Sequence, residues 1–161
     1  MTTRSRQWTM FGFLALGALV FATPPSRAAD AGGKVCKLAI SANDMMRFDQ
    51  TSMSVAKDCA TVEVTLTHTG KFPIQTMGHN WTLVKSADLA AVATDSLTAG
   101  LQNDWVKPGD PRVIAHTKVI GGGQTASVSF PLSKLKAGES YSFLCTFPGH
   151  SALMKGTFTI G

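Results

Sequence analysis

The run Tyr141-Ser-Phe-Leu-Cys-Thr-Phe-Pro-Gly-His-Ser-Ala-Leu-Met154 constrains the fold more than any other stretch of the chain. Its first half alternates, so Tyr141, Phe143 and Cys145 share one face of a strand, and the cysteine sulfur turns inward at the strand's last residue. Phe147-Pro148-Gly149 cannot continue that strand, because proline donates no ladder hydrogen bond and glycine invites a turn. A loop must follow and carry His150 outward. Cys145, His150 and Met154 thus place a thiol, an imidazole and a thioether on one short loop beyond a strand end.

The remainder of the chain supports a β architecture. Val62, Val64 and Leu66 alternate with Glu63, Thr65 and Thr67, and the same parity puts His68 on the buried side. His79, Trp81 and Leu83 share a face in the same way, which sets the histidine at the rim of a core anchored by a tryptophan. Val128 and Phe130 form the inward set of another strand, and Thr157 to Ile160 supply a closing strand. Turn signals at Gly70, Gly109, Gly121 to Gly123 and Gly138 separate these runs, the pattern of an all-β sandwich or barrel. The periodicity changes between Ser86 and Gly100, where Leu89, Val92, Ala93 and Leu97 fall at helical spacing. There Ser86 is the expected N-cap and Gly100 the stop, so one helical flap is inserted in the β fold. The chain contains no internal repeat.

The first residues carry a different signal. Arg4 and Arg6 precede an apolar stretch from Met10 to Ala22, followed by Pro24, Pro25 and small residues at Ala28, Ala29 and Ala31. This is the layout of a secretory signal peptide over residues 1–31, cleaved between 28 and 33, and the apolar stretch is shorter than the ~18–20 residues that span a bilayer. Removing it takes three arginines and at most Asp30, so the formal charge of +5 falls to +2 or +3. The remaining cations form no basic stripe, which excludes a nucleic-acid surface. The export signal implies a periplasmic protein, free of the membrane once cleaved. Of the three cysteines, Cys36 and Cys59 are the pair expected to be oxidised, a crosslink worth about 3.4 kcal/mol in the chain-entropy treatment. Cys145 is left as a free thiol, which in an oxidising compartment calls for burial or a metal.

Soft sulfur donors with borderline imidazole nitrogens suit copper, and two histidines, one cysteine and a distant methionine make an electron-transfer copper set. The second histidine is available in Gly78-His79-Asn80. With His79 from one strand end and Cys145 and His150 from another, folding itself assembles the site. Met154 can approach axially, and the Gly78 carbonyl can reach the opposite side because glycine lets backbone come close. Elsewhere the plainer readings prevail: His68 is a core histidine, His116 a strand-end surface residue, and Met45, Met46 and Met53 packing or surface residues. A Cys–His hydrolase dyad is disfavoured, since no orienting Asn or Asp and no oxyanion-hole motif accompanies an inward-facing cysteine. A copper carrier or storage protein and a zinc-occupied structural site are the alternatives to an electron carrier.

From Cys36 to Thr159 the chain resembles the azurins, bacterial blue copper proteins of the cupredoxin family. The likeness is sharpest in Met77-Gly-His-Asn-Trp81, Arg112-Val-Ile-Ala-His-Thr-Lys118 and Cys145-Thr-Phe-Pro-Gly-His-Ser-Ala-Leu-Met-Lys-Gly156. The resemblance implies a Greek-key cupredoxin domain of about eight strands with a helical flap over residues 34–161, and one copper ion cycling between Cu(I) and Cu(II). It implies His79, Cys145 and His150 as equatorial ligands, Met154 and the Gly78 carbonyl as axial contacts, and Asn80 as an outer residue tying the ligand loops together. It makes His68 the buried histidine beside the site. It also implies an apolar docking patch of Met46, Phe72, Met77, Phe147, Pro148, Ala152 and Leu153 around His150. The implied protein is a monomer and no enzyme, exchanging electrons with c-type cytochromes, copper nitrite reductase or amine dehydrogenases.

Overall fold

The computed structural model describes residues 33–161, so the signal peptide expected over residues 1–31 lies outside the described residues. Among the described residues, nine strands form two sheets. The first sheet takes β1 (Val35–Asn43), β2 (Arg47–Phe48), β4 (Thr61–His68) and β7 (Thr125–Pro131) in the order β2-β1-β4-β7. The second takes β3 (Ser52–Val55), β5 (Thr82–Lys85), β6 (Val113–His116), β8 (Tyr141–Leu144) and β9 (Lys155–Ile160) in the order β3-β9-β8-β5-β6. Parallel pairs join β1 to β4 and β3 to β9, and the other pairings are antiparallel. The two-residue β2 takes the count past the expected eight.

Strand β4 shows why these residues make strands. Val62, Val64, Leu66 and His68 are buried while their neighbours are only partly so. A one-residue slip would drive Glu63 and three threonines into the core, so the register is strongly specified. Between the sheets Trp81, fully buried, stacks on Phe143 at 6.2 Å and Phe130 at 6.4 Å and meets Phe158 edge-on at 6.1 Å. Cys36 and Cys59 are disulfide-bonded with Cα atoms 5.8 Å apart, tying the start of β1 to the turn before β4.

The flap differs from the expectation of one helix from Ser86 to Gly100. A 3-10 turn at Ser86–Asp88 precedes α2 (Leu89–Ser96), with α1 being the four-residue helix Ile74–Met77. Ser86 does not cap: its hydroxyl is shared with Ser142 of β8 at 2.8 Å. Leu97, placed in the apolar stripe by spacing, lies beyond the helix and is 52% exposed. Val92 instead joins Leu144 and Val84 in a second small core. The inward face read for Tyr141, Phe143 and Cys145 lies in the between-sheet core, and this cluster adds a second covered face to β8. All four of its residues are buried, because the between-sheet core takes one face and the flap covers the other.

Candidate metal centre

Four segments meet at one end of the sandwich. His79 sits just before β5 and is held by a paired bridge to Ile120, His79 N–H to Ile120 O at 3.0 Å and the return bond at 2.8 Å. Ahead of it, α1 closes tightly on Gly78. A Cβ there would stand 2.5 Å from the Ile74 carbonyl and 2.9 Å from the Phe147 ring, so the crowding demands glycine although φ is an ordinary −69°. Cys145 follows β8, and a 3-10 turn at His150–Ala152 returns the chain to β9. The loop is closed on itself: Cys145 N–H donates to Met154 O at 2.9 Å, and Met154 N–H donates to His150 O at 2.8 Å.

These elements bring His79, Cys145 and His150 together, all three buried. The Cys145 sulfur lies 3.9 Å from His79 Nδ1 and 3.8 Å from His150 Nδ1, and the two Nδ1 atoms are 3.2 Å apart. Metal–nitrogen bonds of about 2.0 Å and a metal–sulfur bond of about 2.3 Å require ligand atoms at such separations around one ion. The tautomer agrees. His79 Nε2 donates to the Asn43 carbonyl at 2.9 Å, which leaves the Nδ1 lone pair facing the centre, the outer-partner arrangement typical of metal-bound imidazole.

Burial tunes the donors. It lowers His79 and His150 to pKa values of about 4, so both imidazoles are neutral and lone-pair bearing at neutral pH. Burial pushes the Cys145 thiol up to about 12, opposed by the Asn80 and Phe147 amides that point at the sulfur. A bound cation would take the place of that proton, with the two amides placed to stabilise the thiolate.

Asn80 joins the segments that carry His79 and Cys145. Its Nδ2 donates to Thr146 Oγ1 at 2.6 Å and to the Asp104 carbonyl at 2.8 Å, while its Oδ1 accepts from the Thr146 amide at 2.8 Å. His68 is fully buried with its ring 4.5 Å from that of His79. Its Nδ1 accepts from the Gly70 amide at 3.0 Å, and its Nε2 donates to the Met77 carbonyl at 2.9 Å. Both ring nitrogens are thus satisfied, and the ring supports the site without entering it. His116 closes β6 half-buried, outside the cluster. Met154 is fully buried in the same loop.

With a buried two-imidazole, one-thiol centre at the end of a two-sheet sandwich in view, the plastocyanin/azurin family of copper binding proteins matches residues 34–161. The chain belongs to that family. An azurin from Alcaligenes faecalis is 55% identical over 126 residues, covering 78% of this chain and 98% of the relative. An azurin from Pseudomonas chlororaphis is 52% identical over 125 residues, with the same coverage. Among solved structures, the azurin Az-iso2 of the obligate methylotroph Methylomonas sp. strain J superimposes with a TM-score of 0.76 at 43% identity, over 78% of this chain and 98% of that one. The candidate site accordingly fits copper, the metal of the plastocyanin/azurin family.

Sequence reasoning did not reach several contributors. The Asn43 carbonyl that orients His79 is backbone, which any residue supplies. Asp104, at φ 56°, offers its carbonyl to Asn80 and its carboxylate to the Val119 amide at 2.8 Å, and no motif marks it. Ser96 of the flap reaches the Thr146 carbonyl at 3.2 Å. Within the expected docking patch, Phe72, Ala152 and Leu153 are exposed and Met46, Met77 and Pro148 are half-buried. Phe147 departs from that set: its ring is buried between Trp105 at 5.8 Å and His150 at 4.6 Å, packing on the imidazole.

Proposed function

We propose that this protein is a periplasmic one-electron carrier and no enzyme, with His79, Cys145 and His150 as equatorial ligands to one copper ion and Met154 and the Gly78 carbonyl as axial contacts. The observation that carries the reading is the convergence of both Nδ1 lone pairs and the sulfur within 3.9 Å of one another in a buried setting. Copper bound there supplies a single-electron Cu(I)/Cu(II) couple. The chain's own part is to hold the donors still. Asn43, Asn80, Thr146 and the Ile120 bridge fix the ligand segments before any metal arrives, which keeps rearrangement per electron small.

Of the three proposed equatorial ligands, His150 is the least enclosed, at 3% exposure against 0% for His79 and Cys145. Electrons therefore pass at its end, where Phe72, Ala152 and Leu153 lie exposed. Small apolar surfaces suit brief redox encounters, and the partners proposed are c-type cytochromes, copper nitrite reductase or amine dehydrogenases, met by a monomer. The signal pattern over residues 1–31 and the Cys36–Cys59 disulfide support an oxidising, periplasmic compartment. Enclosure of all three ligands opposes the ready metal exchange that a copper carrier needs.

Copper titration followed by visible absorption and EPR tests the reading. An intensely blue oxidised protein with narrow copper hyperfine splitting is expected, and Cys145→Ser abolishes the colour. A colourless copper adduct of the parent protein would sink it, and preferred retention of zinc over copper would favour a redox-silent structural site.

A further inference from the structure

We infer that Arg47 and Lys155 form a cationic clamp beside the copper end, shaped to take a carboxylate from a redox protein with an acidic rim; the inference rests on the electron-carrier reading above. A surface groove of about 230 Å³ is lined by Arg47, Phe48, Gln50, Thr51, Leu153 and Lys155. Phe48 turns inward, its ring 5.6 Å from Phe143, while Arg47 stays exposed on the same short strand. Lys155 directly follows the buried Met154, and Leu153, 64% exposed, adjoins it. The groove thus begins three positions from His150 along the chain.

Among the described residues, neither cation has a counter-charge of its own. Among the described residues the carboxylate ion pairs of Lys and Arg are Lys34–Asp58, Lys37–Glu63, Lys85–Glu139 and Arg112 with Asp95 and Asp110. The two acids nearest in sequence to Arg47 are occupied elsewhere. Asp44 accepts the Lys71 and Phe72 amides, Asp49 accepts the Ser41 amide, and neither lines the groove. Two uncompensated cations therefore flank a groove with Leu153 as apolar margin, the Gln50 amide being already given to the Ala39 carbonyl at 2.9 Å. A partner carboxylate supplies the counter-charge that both cations lack. Complementary rim charge of this kind raises association rate and fixes orientation more than it deepens affinity.

The test uses the copper-loaded protein and a c-type cytochrome with lysines around its haem edge, native or succinylated so that those lysines become carboxylates. At about 10 mM salt, where screening is weak, Arg47→Gln with Lys155→Gln should slow electron exchange with the succinylated form by about fivefold to tenfold. The loss should vanish near ~0.5 M salt, with the copper spectrum unchanged. Lys57→Gln with Lys136→Gln removes the same charge near the far end of β9 and should leave the rate nearly unchanged. An equal loss in that control, or none in the clamp variant, overturns the inference. No exchange with either cytochrome form overturns the electron-carrier reading instead. The clamp is then judged by salt-sensitive binding of the succinylated form: weakened binding in the clamp variant supports it and unchanged binding overturns it.

Discussion

The two imidazoles of the site have similar chemistry and opposite settings. His79 is anchored on every side: a two-bond bridge to Ile120, the Asn43 carbonyl on Nε2, and the His68 ring 4.5 Å away. His150 belongs to a 3-10 turn, packs on Phe147 at 4.6 Å, and has no protein partner for Nε2 among the described residues. One side of the centre is part of the sandwich and the other is a loop laid over it. The difference separates two requirements of an electron carrier, a fixed geometry and a route outward.

Acid should produce the largest effect and treat both sides alike. Unfolded imidazoles titrate near 6.5, whereas burial lowers both His79 and His150 to about 4. Between those values the unfolded chain holds up to two more protons than the folded apoprotein, so stability falls as pH falls through this window and is flat above it. The slope approaches about 1.4 kcal/mol per pH unit for each imidazole. Denaturant melts of the apoprotein from pH 7 to pH 4 check it, and a flat profile would mean that the imidazoles are not held neutral. Next in size is Asn80→Leu, which cuts the staple between the two sides. It strands the buried Thr146 amide and the half-buried Asp104 carbonyl, at about 3 kcal/mol. Loss of apoprotein stability together with weaker copper retention is expected, and stability loss alone would show that the staple does not position the ligands.

How much of this could be read from the residues follows the same division. Strand parity correctly buried His68, His79 and Cys145, because a period of two leaves no freedom once one face is apolar. The motif Cys145 to Met154 exposed the loop because proline and glycine stop a strand wherever they fall. Parity put Tyr141, Phe143 and Cys145 on the inward face of β8 but carried no sign that a flap distant in sequence covers the other face, and the docking patch implied by the resemblance took in Phe147, whose ring turns in to meet Trp105. The four-residue α1 is too short to show a period. What orients His79 is a main-chain carbonyl, invisible to any reading of side chains.

Removing each imidazole in turn puts the comparison directly. His79→Ala leaves the Asn43 carbonyl unsatisfied and opens a cavity beside His68, at about 2 to 3 kcal/mol of apoprotein stability. His150→Ala loses mainly its packing on Phe147, at about 1 kcal/mol. Equal losses would erase the distinction between anchored and overlaid ligand.

The smallest expected effect concerns the flap. Ser96 is one of two buried residues of α2, and its hydroxyl lies 2.7 Å from the Ala93 carbonyl and 3.2 Å from that of Thr146. One proton serves both acceptors, and Thr146 is already held by Asn80, so the serine reinforces a contact that exists without it. Ser96→Ala should therefore cost about 1 kcal/mol or less. Amide hydrogen exchange should quicken in Leu89–Ser96 while the slow exchange of the His79 and Ile120 amides is kept. Faster exchange at His79 and Ile120 as well would mean that the flap braces the anchored side, and that the two sides of the centre are mechanically one.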